Sequence, residues 1–307
     1  MNQTDAQGRK QGRWTKLYED GKLRYEGTFK DGKPTGLFSY YYPDGKVEAT
    51  NNHLSDGHTA AAHMYHKNGR MKAKGIYRDQ KKDSLWQYYN EDQVLILEET
   101  YSREVLDGMQ RSYFVTNGKP VEETTYTMGK RNGPWQRRYD NGKLWSNGSY
   151  KDDELHGDYE MNFPDGRPKM RGKYEAGMRT GVWLEFNDNG SVRTQTGFVA
   201  GVEKTVKREN GTFEEYYVSG IPKSKVTYFK GKLQGPFTEW YDKGEFKQST
   251  RPGKEGAPPE AVEELVGTVL KRKGEYREGQ LHGPVELYRE DGTLERTEIY
   301  EKGTLIQ

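Results

Sequence analysis

Large aromatic residues recur along the chain at fixed distances from glycines, and this recurrence defines a repeating unit. One unit starts at Gly133, and the next two start at Gly157 and Gly181, which gives a period of 24 residues. From each starting glycine, called the anchor, an aromatic residue stands at +2 and often another at +6. Because alternate residues of a strand point to the same face of a sheet, even offsets place these rings together. The pattern predicts a β-strand that carries its rings on one face.

Each unit continues with a turn signal and a second strand. The turn is an Asp-Gly or Asn-Gly pair, as at Asn141-Gly142, and such pairs tolerate positive φ and favour tight hairpins. The second arm ends in an aromatic residue three positions before another glycine, as in Tyr174 and Gly177. The unit is therefore predicted to be a β-hairpin, repeated about ten or eleven times along the chain.

Consecutive hairpins joined by short turns predict an all-β fold. We expect an elongated, twisted, single-layer antiparallel sheet of hairpin repeats, because strands twist with a fixed hand and each hairpin needs neighbours to bury its rings. The first unit, anchored at Gly12, matches well. Weaker copies are expected to start at Gly36, Gly57, Ser84, Gly108, Gly235 and Gly283.

Two stretches interrupt the rhythm. Residues 202–230 contain one turn signal, Asn210-Gly211, followed by an overlong second arm. Further on, a Pro- and Gly-rich loop precedes a segment near 259–271 that predicts a short helix, with acids in its first turn and basic residues at its end. The predicted division is a lead-in at 1–11, tandem hairpins at 12–249, the loop and helix insert at 250–273, and final hairpins with a C-terminal cap at 274–307.

Composition favours an ordered β protein and excludes several classes. Hydrophobic and charged residues are each 31%, which alone would lean toward disorder, but 23 Tyr and only 12 Pro oppose this. No apolar run is long enough for a membrane-spanning helix. Basic residues (49) and acidic residues (47) are too balanced for a nucleic-acid partner, and the absence of Cys excludes disulfides and thiolate metal sites.

The combined pattern resembles MORN repeats. The run from Gly133 to Leu144 reads Gly-x-Trp-x-x-x-Tyr-x-Asn-Gly-Lys-Leu, and it is similar to a bacterial variant grouped under an "antitoxin" family label. The resemblance covers nearly the whole chain and implies a long twisted sheet with an aromatic groove, used as a scaffold or interaction module. Ser84 in place of an anchor glycine and Gln110 in place of a +2 ring depart from the pattern.

The recurrent rings are both the candidate binding residues and the obvious core. We interpret the +2 rings mainly as core, because a repeated residue is usually a repeated packing solution. The alternative is that one face stays open as an apolar groove for a partner. Under that alternative the candidate binding surface consists of Tyr40, Tyr42, Tyr88, Trp135, Tyr139, Tyr159, Trp183 and Trp240.

Other chemistry is weakly represented. A histidine cluster (His53, His58, His63 and His66) lacks Cys partners and a ligand spacing, so we expect no metal. No nucleophile elbow, phosphate loop or acid–base pair stands out, so we expect no enzyme and no cofactor. Basic residues that follow turn glycines are interpreted as protection of the turn edges against aggregation; they are Lys22, Lys46, Lys119 and Lys143.

The sequence therefore predicts a non-enzymatic scaffold that binds a protein partner through an aromatic sheet face. One alternative is an envelope-associated protein that binds lipid or cell-wall polymer through Lys and Tyr. Another, resting on the family label alone, is neutralisation of a toxin. We expect no nucleic acid and no membrane-spanning segment, while free sheet ends would allow homo-oligomers.

Localisation is inferred from the resemblance. Residues 1–7 have neither the basic nor the apolar region of a signal peptide. Since many similar bacterial proteins look exported, we expect a mature periplasmic or extracellular chain whose signal was removed and whose Met1 was added for expression. A cytoplasmic protein is the alternative.

Overall fold

The structure, a computed structural model, describes residues 2–251 and 260–307. The chain divides into two compact units, Met1–Thr180 and Gly181–Gln307. The described residues contain no helix, and so none that could cross a membrane. The predicted all-β class, built from antiparallel hairpins, is confirmed.

The strands of the first unit are β1 Gln3–Thr4, β2 Lys10–Leu17, β3 Leu23–Lys30, β4 Lys33–Tyr41, β5 Val47–His53, β6 Thr59–Tyr65, β7 Met71–Arg78, β8 Lys81–Tyr89, β9 Leu95–Ser102, β10 Val105–Tyr113, β11 Pro120–Thr127, β12 Lys130–Arg138, β13 Leu144–Lys151, β14 Glu154–Leu155, β15 Gly157–Asn162 and β16 Pro168–Glu175. The remaining strands are β17 Met178–Phe186, β18 Val192–Val199, β19 Val202–Arg208, β20 Gly211–Tyr216, β21 Pro222–Phe229, β22 Lys232–Leu233, β23 Gly235–Trp240, β24 Glu245–Arg251, β25 Glu260–Val266, β26 Leu270–Arg277, β27 Gln280–Leu281, β28 Gly283–Tyr288, β29 Leu294–Glu301 and β30 Thr304–Leu305.

The first unit is an antiparallel meander in which β1 to β13 each pair with the following strand. Both β14 and β15 pair with β13, so they are two pieces of one interrupted strand. Each anchor lies opposite the aromatic residue that ends the second arm, as in Gly12 with Phe29 and Gly133 with Tyr150. The strand pairing of the sheet therefore follows the repeat that was read from the sequence.

The second unit contains the irregular stretch at residues 202–230. β19 pairs along its length with β18. Gly211 then lies opposite Tyr228, as an anchor does, and the turn of its hairpin closes at Gly220, whose N–H donates to the Tyr217 carbonyl. Asn210-Gly211, which the sequence suggested as a turn, therefore starts a hairpin, and that prediction was wrong.

The short helix predicted near 259–271 is also wrong over the part of that segment that the structure describes. Pro259 lies outside the described residues, and β25 follows it as a strand paired with β24. Leu265 lies opposite Phe246, and Glu264 lies opposite Lys247. Such apolar and opposite-charge pairs across strands stabilise a sheet. The charged residues that suggested a helix cap instead pair with residues of the neighbouring strand. The local sequence pattern does not show this pairing.

Replacing Leu265 by Asp tests this hairpin. Leu265 is partly buried opposite Phe246, so the substitution is expected to lower the free energy of unfolding by about 1–2 kcal/mol, a fraction of a full leucine burial. Thermal denaturation and hydrogen exchange would measure it. Ala261→Asp, at an exposed site on the same strand, is the control, and equal stability of both variants would remove β24 and β25 from the folded core.

The third hairpin copy departs from the others at its anchor. It begins at Ala60, which lies opposite Tyr77, and not at Gly57 as the sequence suggested. Other anchors have positive φ, including Ser84 at 59°, whereas Ala60 does not. β5 and β6 consequently pair in unbroken register, while β3 with β4 and β7 with β8 show a register shift.

Candidate functional site

The +2 rings form the packed row of the sheet, called the ladder below. Phe38, Trp86, Trp183 and Phe237 are at most 3% exposed. The packing interpretation is therefore right for these positions. Trp183, which the sequence placed in the candidate binding surface, is buried and offers no surface to a partner.

Ladder rings pack directly on glycine backbone. A Cβ on Gly27 would lie 2.4 Å from ring atoms of Phe38, and a Cβ on Gly75 would lie 2.3 Å from ring atoms of Trp86. Neither glycine has positive φ, so the close approach of the ring, and not a turn, requires glycine here.

In several hairpins the +6 side chain ties the hairpin to the next one. The Tyr42 hydroxyl donates to the Tyr65 carbonyl at 2.8 Å, and the Tyr139 hydroxyl donates to the Asn162 carbonyl at 2.8 Å. Tyr42 and Tyr139, predicted as binding residues, thus have a structural use for their hydroxyls. The same contact is made by Tyr18, His66, Tyr217 and Tyr241.

Removal of one hydroxyl measures this tie. Tyr139→Phe is expected to lower the free energy of unfolding by about 0.5–1.5 kcal/mol, because the Asn162 carbonyl loses its donor. Tyr216→Phe is the matched control, since the exposed Tyr216 hydroxyl binds only Glu214 two residues away on its own strand. Chemical denaturation would measure both variants, and equal stabilities would mean that the Tyr139 hydroxyl does not stabilise the contact between hairpins.

The other predicted binding residues do not converge on one surface. Trp135 donates its indole N–H to Glu122 at 2.8 Å, and Tyr159 meets Tyr174 edge-on with ring centroids 5.4 Å apart. Burial raises the pKa of Tyr88 strongly, and the Lys82 ammonium donates to its hydroxyl. Trp240 lies in the second unit and is partly buried.

Tyr40 is different, because it faces a groove of about 720 Å³ on the ladder face of the first unit. One wall of the groove is formed by Phe38 and Tyr40 of β4, and the other by Tyr77 of β7. The floor is formed by Asn51 of β5 and Ala60 of β6. A second cavity of about 300 Å³ shares Tyr40, Asn51 and Tyr77 with it and continues the groove across the sheet.

The groove exists because the third hairpin lacks its ladder ring. Ala62 takes the ladder position and lies opposite Asn51, at the place where the neighbouring hairpins have a ring packed over a glycine. Ala62 packs with Ala73 and Trp86. The alanine removes the volume of a ring from the row, whereas Asn51 adds a side chain that lines the groove. Ala62 itself is 1% exposed.

Three residues with titratable side chains lie at the rim of the groove, Lys33, His58 and Asp79, and the last two are engaged with each other. His58 Nδ1 lies 2.5 Å from Asp79 Oδ1, and this hydrogen bond holds the pKa of Asp79 below its usual value. Nearby, the hydroxyl of Thr59 and backbone N–H groups lower the pKa of Asp56 to about 2. Both carboxylates accept hydrogen bonds at this edge of the sheet, so neither presents an unpaired negative charge to the groove.

The interior of the groove is neutral. Burial raises the pKa of Tyr40 and of Tyr77, and burial lowers the pKa of His53, which also lines the groove. Near neutral pH these three side chains therefore carry no charge. Within residues 2–251 and 260–307, no three His, Asp or Glu side chains group as metal ligands.

The basic residues after the turn glycines have a local use. Lys46 Nζ donates to the Lys67 carbonyl at 2.9 Å, and Lys143 Nζ donates to the Asp165 carbonyl at 2.6 Å. Each ammonium group thus holds the turn of the next hairpin. Because these ammonium groups already donate to backbone carbonyls, they are less available to bind an anionic surface.

Sequence reasoning found Tyr40, and also Tyr42, which lines the second cavity, but it missed Asn51, His53 and Tyr77 as parts of one site. A signal was present. Counting one period from Gly36 reaches Ala60, so the alanine run there replaces both the anchor glycine and the ring. The mistaken start at Gly57 concealed that replacement.

Comparison with known proteins agrees with this hairpin pattern. The family model described as "MORN repeat variant" matches residues 10–31, 34–53 and 131–152. These three stretches of the chain are therefore similar to MORN repeats. The matched segments cover about a fifth of the chain, and MORN repeats indicate a repeat scaffold, a class that often binds proteins or membrane lipids. No curated protein matches the chain.

Solved structures resemble parts of this chain at low similarity. The crystal structure of TarM is 14% identical over 30% of this chain and 18% of that one, with a TM-score of 0.24. TcdB2-TccC3 is 11% identical over 78% of this chain and 16% of that one, with a TM-score of 0.17. The Photorhabdus luminescens Tc holotoxin pore is 11% identical over 96% and 18%, with a TM-score of 0.16. This chain spans less than a fifth of the length of each of these proteins.

Proposed function

We propose that the protein is a non-enzymatic MORN-repeat scaffold that binds a protein partner in the groove over Asn51. The observation that carries the proposal is the missing ladder ring, which opens a cavity of about 720 Å³ between tyrosine-bearing walls. This volume falls within the range of about 300–1,000 Å³ typical of ligand sites. Tyrosine is also enriched among residues that anchor protein partners.

The groove favours binding over catalysis. A general acid or base needs a titratable group within reach of a substrate and free to exchange its proton. Here Asp79 is paired with His58 at the rim, and burial keeps His53 neutral near neutral pH. Apart from Lys33 at the rim, the remaining lining is aromatic, amide or small, which suits recognition.

Two alternatives have less support. Binding of lipid or cell-wall polymer would use lysines that instead hold neighbouring turns through their ammonium groups, as Lys46 and Lys143 do. Neutralisation of a toxin rests on the family label alone. A periplasmic or extracellular location remains our proposal from the resemblance to exported proteins.

Selection from a displayed random peptide library tests the proposed function. The immobilised full chain is expected to enrich peptides that lose binding to the double variant Asn51→Gly/Ala62→Trp, in which the glycine and ring of the other hairpins fill the groove. The control is Ala61→Trp, which adds the same ring one residue away and hence on the opposite sheet face. Peptides that bind the double variant as well as the wild type, or a failure to enrich any peptide, would contradict the proposal.

A further inference from the structure

We propose that the groove receives an aromatic side chain of the partner, which takes the ring position that the third hairpin leaves empty. This inference rests on the proposed function, since it assigns the chemistry of the group that the groove recognises. Two observations support the inference. The first is the set of aromatic contacts around an intact ladder ring, and the second is the presence of the equivalent aromatic residues in the groove.

An intact ladder ring sits between two aromatic side chains. Phe38 lies edge-on to Phe29 and to His53, with ring centroids 5.1 Å apart in both pairs. Trp86 likewise meets Tyr77 at 4.9 Å. Edge-to-face contacts at such distances stabilise aromatic pairs beyond the area that they bury.

In the next repeat, the two positions that flank a ladder ring again carry aromatic side chains. The counterparts of Phe29 and His53, counted 24 residues on, are His53 and Tyr77, and both line the groove. Ala62 holds the ladder position of this hairpin and is 1% exposed, and the groove surface between His53 and Tyr77 is formed by Asn51 and Ala60. The groove therefore has the two aromatic neighbours of a ladder ring without the ring itself, and a guest ring would complete the set.

The width of the groove allows this occupant. β4 and β7 are three strands apart in the meander, which corresponds to about 14 Å between their backbones. Side chains of both walls reduce that span, and the floor between them is made of small or short side chains, Ala60 and Asn51. A planar ring enters such a slot more readily than a bulky branched side chain does.

The charge of the groove favours a neutral ring with one polar atom. Asp79 is already hydrogen-bonded to His58, so a cationic guest would lose water without gaining a free carboxylate among the lining residues. The Lys33 ammonium group at the rim can lie over the face of an aromatic guest. Asn51 and His53 bring polar atoms to the floor, and these can bond the N–H of tryptophan or the O–H of tyrosine. The expected guest is therefore a Trp or Tyr side chain.

Titration with amino-acid amides tests the inference in the full chain. N-acetyl-tryptophanamide and N-acetyl-tyrosinamide are the probes, and N-acetyl-leucinamide is the apolar control without a ring. By NMR, we expect the aromatic probes to shift the backbone signals of Asn51, His53 and Tyr77 and to bind about tenfold tighter than the leucine probe. Ala61→Trp should bind like the wild type, and Asn51→Gly/Ala62→Trp should show no saturable binding.

The outcomes separate this inference from the proposed function. Equal binding of leucine and aromatic probes, or aromatic binding that survives in the double variant, would overturn the inference. If library peptides still require the groove but carry no ring, the function holds and this inference fails. Should the double variant unfold, Asn51→Gly/Ala62→Phe, which copies the pair of Gly27 and Phe38, replaces it with the same expected loss of binding.

Discussion

Replacing Trp86 by alanine is expected to lower the free energy of unfolding by about 3–5 kcal/mol, the range for deletion of a buried aromatic side chain. Trp86 is 0% exposed, and its indole N–H donates to the Ile76 carbonyl at 3.1 Å. Its loss removes the ring packed on Gly75 and leaves a cavity beside Tyr77. Urea denaturation followed by far-ultraviolet circular dichroism would measure the change.

The neighbouring residue provides the control for Trp86. Leu85 is 47% exposed and points to the opposite sheet face, so Leu85→Ala is expected to change stability by less than about 1 kcal/mol. Similar losses in both variants would mean that the ladder face is not the core. In that case the rings would be available for binding, as the alternative from the sequence supposed.

Replacing Gly75 by alanine is expected to cost about 1–3 kcal/mol, because an added methyl group in a packed core forces its neighbours to move. The new Cβ would lie 2.3 Å from the ring of Trp86, which has no room to retreat at 0% exposure. The measurement is again the free energy of unfolding of the full chain. Trp86→Ala combined with Gly75→Ala should cost less than the sum, since removing the ring removes the clash.

Gly148 provides a control at the equivalent repeat position. The nearest atoms to a Cβ there would lie at 3.4 and 3.5 Å, an ordinary contact. Gly148→Ala is therefore expected to be neutral or to stabilise the protein by about 0.4–1 kcal/mol, through the reduced freedom of the unfolded chain. If both alanines destabilise equally, ring contact is not the reason for these glycines.

The hairpin period could be predicted from sequence because its causes are local. Turn pairs such as Asn141-Gly142 fix the connections, and the anchor glycines mark where the backbone takes positive φ. The failed helix near 259–271 has the opposite origin. Its acids satisfy a helix pattern locally, but residues 260–266 each have a cross-strand partner on β24, and the sequence of the segment alone does not show that pairing.

The site was only partly predictable because it arises from an absence. Rings such as Trp183 attract attention in the sequence, but the fold buries them. The groove is instead marked by Ala62 and Asn51, two residues that carry no signal unless the repeat is aligned through Ala60. Under our proposal, the partner enters at the repeat copy that lacks the shared side chain.

A crystal structure of the full chain grown with N-acetyl-tryptophanamide tests the central claim most directly. The account predicts the indole over Asn51, edge-on to His53 and Tyr77, in the position that ladder rings occupy in neighbouring hairpins. Crystals of Asn51→Gly/Ala62→Trp should show the protein's own indole there and no bound probe. A probe bound elsewhere, or a groove closed by its own side chains, would contradict the account.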